Sequence, residues 1–158
     1  MHPHRVRELA RASWAIGELF TETGNFGKVV QGPVWRPLPQ TTPASEHCAA
    51  AVLAQLLSAP VVGHSDCMAV VKEAAKGRQR QLRKNSLYAG IRKVALGFRG
   101  AHHIRSILHT KAHRTDKDII ALPADQRRLA EGNRWIDIKA KQAADCHEAP
   151  YPGPNQRC

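Results

Sequence analysis

The hydrophobic periodicity of this chain changes repeatedly and never holds for long, which restricts it to a fold of many short elements. Trp14 and Ile16 alternate with Ala15, Gly17 and Leu19 and run into Phe20, the pattern of a strand ended by Thr23-Gly24-Asn25. Residues 28–35 read as a second strand, and the glycines at 24 and 27 make the pair a hairpin. Pro37, Pro39 and Pro43 force an extended connection, because the residue before a proline is pushed out of the helical region. Thr41-Thr42-Pro43 starts a helix, and residues 44–57 continue it with Ala49, Val52, Leu53, Leu56 and Leu57 on one side. Residues 59–66 read as a short buried strand ending in a turn, and 67–75 as a helix stopped by Gly77. Leu87, Ile91, Val94 and Phe98, spaced by four, three and four, predict an amphipathic helix over 86–98. A strand over 103–109 follows, then helical segments at 122–130 and 133–146 punctuated by Gly132. Strands alternating with helices in this order predict an α/β fold with a mixed sheet flanked by helices.

Pro150, Pro152 and Pro154 leave residues 147–158 reading as a disordered tail, and residues 1–12 stand apart from the predicted domain at 13–146. No apolar run approaches the roughly 18–20 residues that a membrane helix needs, so no membrane partner is expected. The first ten residues lack the apolar stretch of a secretory signal. Cys48, Cys67, Cys146 and Cys158 form no CxxC pair, and free thiols in a reducing compartment are the expectation. The chain is read as intracellular, nuclear or cytoplasmic, and not secreted.

Charge narrows the choice of partner. Residues 72–114 hold twelve of the 24 Lys and Arg but only Glu73 of the 13 Asp and Glu, so this window carries the whole net +11. The remainder is neutral, which excludes a uniformly basic, histone-like chain. One cationic sector on a neutral body points to a polyanion.

Three carboxylates stand out by position. Glu46 lies in the first turn of the Ala/Leu-rich helix, Asp66 at the carboxyl end of a buried strand, where α/β sheets place ligands, and Asp137 in the last helix. Singly, each has a plain structural explanation: helix-dipole preference for Glu46, turn formation for Asp66, an i,i+4 pair with Lys141 for Asp137.

Together the segments around them resemble the type 1 ribonuclease H family. Ser45-Glu46-His47-Cys48-Ala49-Ala50 resembles the helix that carries its second catalytic carboxylate. Val61-Val62-Gly63-His64-Ser65-Asp66 resembles the fourth strand, ending in the "SD" of the third. Ile107-Leu108-His109-Thr110-Lys111-Ala112-His113-Arg114 looks like the fifth strand and the loop with a mobile histidine. Gly132-Asn133-Arg134-Trp135-Ile136-Asp137 is similar to the family's last helix, with Asp137 in the place of the fourth carboxylate. The match runs from about Ser13 to Ala144.

The resemblance implies metal-dependent endonucleolytic cleavage of the RNA strand of RNA–DNA hybrids. Glu46, Asp66 and Asp137 are the implied ligands of two Mg2+ ions, with Mn2+ as the alternative, and His113 is the implied proton carrier. Arg78, Arg80, Arg83, Lys84, Arg92 and Lys93 are the implied phosphate contacts, sequence-blind and salt-sensitive.

Two departures weigh against activity. Residues 1–12 contain no Asp, so the family's first carboxylate and the central strand that bears it are both expected to be missing, and Lys139 stands where the family has an apolar residue. The competing expectation is a non-catalytic nucleic-acid-binding module of the same fold, such as part of a mobile-element polyprotein. A zinc protein is a third reading, but the spacings of His102-His103, His109, His113 and Cys146-His147 match no closed four-ligand pattern.

Overall fold

A computed structural model describes residues 12–20, 22–35, 37–83 and 88–146. The chain is mixed α/β. The hairpin pairs β1 (Ser13–Phe20) with β2 (Asn25–Pro33), antiparallel and with a bulge near Glu18. Gly24 takes a positive φ of 73° at the turn, a conformation that costs glycine nothing. Helix α1 (Thr42–Leu56) follows, capped by the Thr41 hydroxyl, which accepts from the Ala44 amide, with Pro43 in the first turn. Strand β3 (Val61–Ser65) leads to α2 (Met68–Ala74), the short α3 (Arg78–Gln81) and α4 (Ala89–Gly97). A 3-10 turn (Arg99–His103) then delivers β4 (Ile104–His109), which runs parallel to β3. The chain continues into α5 (Asp116–Ile120) and the long α6 (Ala124–Asp145).

The expected single mixed sheet is absent among the described residues. The four strands form two separate two-stranded sheets, β1–β2 and β3–β4. Both faces of β1 are nonetheless covered. Trp14 joins Val34, Ala44, Cys48, Ala51 and Ile91 in the core on the α1 side. On the other side the Ser13 hydroxyl donates to the Ala140 carbonyl of α6, and Gly17 lies under Trp135 and Ile136. A strand covered on both faces is interior in character, yet among the described residues β1 pairs only with β2. Two-stranded parallel sheets such as β3–β4 ordinarily lie inside larger sheets.

The sequence reading gave no element at α3, at the 3-10 turn or at α5, and two further helices differ from it. The buried side of α1 is its small-residue side, Ala44, Ser45, His47, Cys48, Ala51 and Ala54, while Leu56 is 55% exposed. Close packing against β1 and the 3-10 turn selects small side chains over large apolar ones. The last two helical segments are one helix, because Gly132 is needed inside α6 for contact rather than for a break. A Cβ there would sit 3.3 Å from the Phe26 ring, and that ring stacks on Trp135 at 4.8 Å. The expectations for residues 1–11, Lys84, Ser86, Leu87 and the tail lie outside the described residues. No helix among the described residues is long and apolar enough to cross a membrane.

Gly100 locks the 3-10 turn onto the end of α1. A Cβ at this position would lie 2.4 Å from the Ala54 carbonyl oxygen and 2.5 Å from that of Leu57. Both obstacles are backbone and cannot swing aside. Gly100→Ala is expected to destabilise the chain by about 2 kcal/mol or more in urea unfolding. An unchanged midpoint would show that the turn and helix are not in contact.

Candidate active site

Glu46 comes from α1, one turn beyond the helix start rather than in the first turn itself. Asp66 follows the last residue of β3, and Asp137 projects from α6. Three elements distant in sequence thus bring three carboxylates into electrostatic reach of one another, for the charges of Asp66 and Asp137 both act on Glu46.

Ser65 ties the first two together. Its buried hydroxyl donates to Glu46 Oε2 at 2.8 Å and accepts from the Cys67 amide at 3.1 Å. The Thr110 amide donates to the Ser65 carbonyl at 2.9 Å and holds the loop after β4 against the end of β3. Asn133 Nδ2 lies 3.4 Å from Asp66 Oδ2, linking α6 to the same point.

The electrostatics are those of crowded, partly dehydrated acids. Burial first, and then the charges of Asp66 and Asp137, push Glu46 from its ordinary 4.5 up to about 7, against the hydrogen bond from Ser65. Burial and the Asp66 charge also raise Asp137, while Lys141 and His113 pull it back down. His113 therefore stands within reach of Asp137, exposed on the loop after β4 and held at a positive φ of 52°.

Stability should follow Glu46 as the pH changes. Its pKa is higher folded than unfolded, so the folded state binds the extra proton between pH 4.5 and 7. Stability is then full below about 4.5 and falls as the pH rises through 7. In EDTA, Glu46→Gln is expected to stabilise the chain at pH 8 by about 2 kcal/mol and to flatten thermal unfolding across that window. The amide oxygen keeps an acceptor for Ser65. A variant less stable than the parent at pH 8 would mean that Glu46 is not strained by its neighbours.

Carboxylate oxygens are the hard donors that Mg2+ prefers, and mutually repelling acids gain from a shared cation, so the donor chemistry fits a divalent ion. The arrangement is nevertheless open. Among the described residues no group of three or more His, Cys, Asp or Glu side chains is set as a metal centre.

The histidines that flank the carboxylates in sequence, and the implied phosphate contacts, separate. His47 turns away from Glu46, as neighbouring residues on a helix must. Its ring packs 4.5 Å from that of Tyr88, and burial with the nearby Arg92 charge lowers it to about 4. His64 meets the Thr110 hydroxyl at 3.2 Å. Of the implied phosphate contacts, Arg78, Arg80, Arg83 and Lys93 are exposed. Arg78 and Arg80 line an open depression of about 530 Å3 together with Lys72 and Lys76. Arg92 departs from that role: it is 5% exposed and donates from Nε to the Gln81 carbonyl at 2.9 Å, so it faces inward.

Ser65 and Asn133 were not singled out by sequence. A signal existed for each, since Ser65 sits beside Asp66 and Asn133 lies one helical turn before Asp137 on the same face.

No protein-family model, curated protein or solved structure matches this chain.

Proposed function

We propose that the chain is a ribonuclease H-type domain that grips RNA–DNA hybrids and cleaves the RNA strand with divalent metal. The observation that carries this reading is the convergence of Glu46, Asp66 and Asp137 from α1, the end of β3 and α6. On this reading Glu46, Asp66 and Asp137 would hold the metal, and the chemistry it would supply there is water activation and stabilisation of the leaving oxygen in phosphodiester hydrolysis. Ser65 orients Glu46, and Asn133 orients Asp66. His113 moves protons at the mouth of the site. Lys72, Lys76, Arg78 and Arg80 bind the duplex backbone. Among the described residues β1 pairs only with β2 and β3 only with β4, which is compatible with a further strand in the place of the family's first, the strand that brings another carboxylate.

The test is incubation of a labelled hybrid with the chain in Mg2+ and in EDTA, with duplex DNA and single-stranded RNA alongside. Hybrid-selective cutting that stops in EDTA and in Asp66→Asn supports the proposal, and cleavage indifferent to both sinks it. The open carboxylate arrangement favours a second reading, a binding module of the same fold without catalysis. Hybrid binding with no metal-dependent cutting, even when a strand bearing an aspartate is joined to the start of β1, selects it.

A further inference from the structure

A cavity of about 140 Å3 opens between α1, α2, α4 and β4. It shares no residue with the Glu46, Asp66 and Asp137 cluster, although His47 follows Glu46 directly in α1. Most of its wall is apolar, with Val70, Leu96 and Ile107 among its members. Alanines on three helices, Ala54, Ala74 and Ala95, keep it open where larger side chains would fill it.

The polar wall residues are His47, Gln81 and Arg92. Two of them are engaged within the protein. Arg92 donates from Nε to the Gln81 carbonyl at 2.9 Å, pairs with Glu73 at 3.8 Å and has a further partner besides. Its charge is therefore not on offer to a ligand. Gln81 also donates its side-chain amide to the Lys76 carbonyl at 2.6 Å.

His47 differs from both. It is 4% exposed, its ring stands 4.5 Å from that of Tyr88, and it makes no hydrogen bond among the described residues. Buried polar groups nearly always have a partner, so an imidazole without one in the wall of a cavity points to a group that enters from outside. Water answers that need poorly. A buried water requires two to four polar partners, and the rest of this wall is apolar or engaged. One hydroxyl on a compact apolar body answers it better, because the hydroxyl meets the imidazole and the body covers the aliphatic wall. Cavities of about 150 Å3 accommodate a benzene ring, which sets the size.

We propose that this cavity binds a small neutral hydroxyl compound, of about the size of phenol, whose hydroxyl hydrogen-bonds a ring nitrogen of His47. The site is independent of the nuclease reading.

The experiment titrates the full chain with phenol and toluene and follows amide and histidine-ring shifts by NMR. Phenol is expected to saturate with a Kd of about 0.1–1 mM and to move the His47 ring resonances. Toluene has the same size without the hydroxyl. It should bind about 5-fold more weakly or worse, because it leaves the imidazole unpaired. His47→Phe keeps a ring against Tyr88 and should bind both ligands alike. Because a change at a buried position can upset folding, Ala95→Leu provides a second arm. It fills the cavity from α4, leaves His47 in place, and should abolish saturable binding of both ligands. Equal affinities of the parent chain for phenol and toluene overturn the proposal, as does saturation by neither. Phenol binding that leaves the His47 ring unmoved, or that survives Ala95→Leu, also overturns it, since the ligand then sits elsewhere.

Discussion

Replacing residues 1–11 with a designed β-strand that bears one aspartate and turns directly into β1 is expected to raise metal-dependent cleavage of an RNA–DNA hybrid by about 100-fold or more. The expectation comes from the two sheets. Strand β1 is covered by α1 on one face and by α6 on the other, yet only one of its edges is paired among the described residues. Strand β3 likewise pairs only with β4. Backbone N–H and C=O groups along a strand edge need partners, and among the described residues one edge of β1 and one of β3 meet no other strand, so a strand placed there gains hydrogen bonds as well as position. It also stands beside the carboxylates, because Asp66 caps β3 and Asp137 projects from the helix that covers β1. A fourth oxygen donor there reduces the openness of the site. Asp66→Asn in the same fusion should remove the gain, and a fusion whose strand carries asparagine should stabilise the fold without raising cleavage. Full stabilisation with no cleavage in the aspartate version would leave the binding module as the better reading.

Binding of the hybrid by the unmodified chain should weaken by about 100-fold between 50 and 200 mM salt. The figure corresponds to about four phosphates neutralised, each contributing a slope near −0.9 in log K against log salt. Four is the number of cationic side chains, Lys72, Lys76, Arg78 and Arg80, that line the open depression at α2 and α3. Replacing Arg78 and Arg80 together with glutamine should reduce the slope by about two and leave thermal stability unchanged, since both are exposed. Lys76 is the less telling choice because it pairs with Glu73. A salt-independent affinity, or a slope untouched by the double substitution, would remove this depression from the interface.

Much of the architecture was legible as local pattern. The hairpin, α1, β3, α2 and β4 fall within a few residues of where periodicity and turn residues place them, because strand alternation and helix spacing are written in neighbouring positions. The three carboxylates could be picked out by position, Asp66 after a strand and Glu46 and Asp137 within helices. Burial was not legible. The large apolar residues of α1 marked only part of the packed side: Ala49 and Val52 lie against the core, but the fully buried positions are Ala44, Cys48, Ala51 and Ala54, and Leu56 is exposed. Gly132 looked like a break and instead gives α6 its approach to Phe26.

Sequence by itself determined the order of the strands and of most of the helices, the α/β character and the gathering of the net charge into one window, all of which depend on residue type and spacing alone. Tertiary structure decided what each residue faces. It turned Arg92 out of the cationic surface and into a cavity, set His47 against Tyr88 instead of beside Glu46, and strained Glu46 between two acids from remote elements. It also split the strands into two pairs. The reason is common to all of these. Spacing specifies the face of an element on which a side chain stands, but charge, burial and pairing are properties of whichever element that face meets.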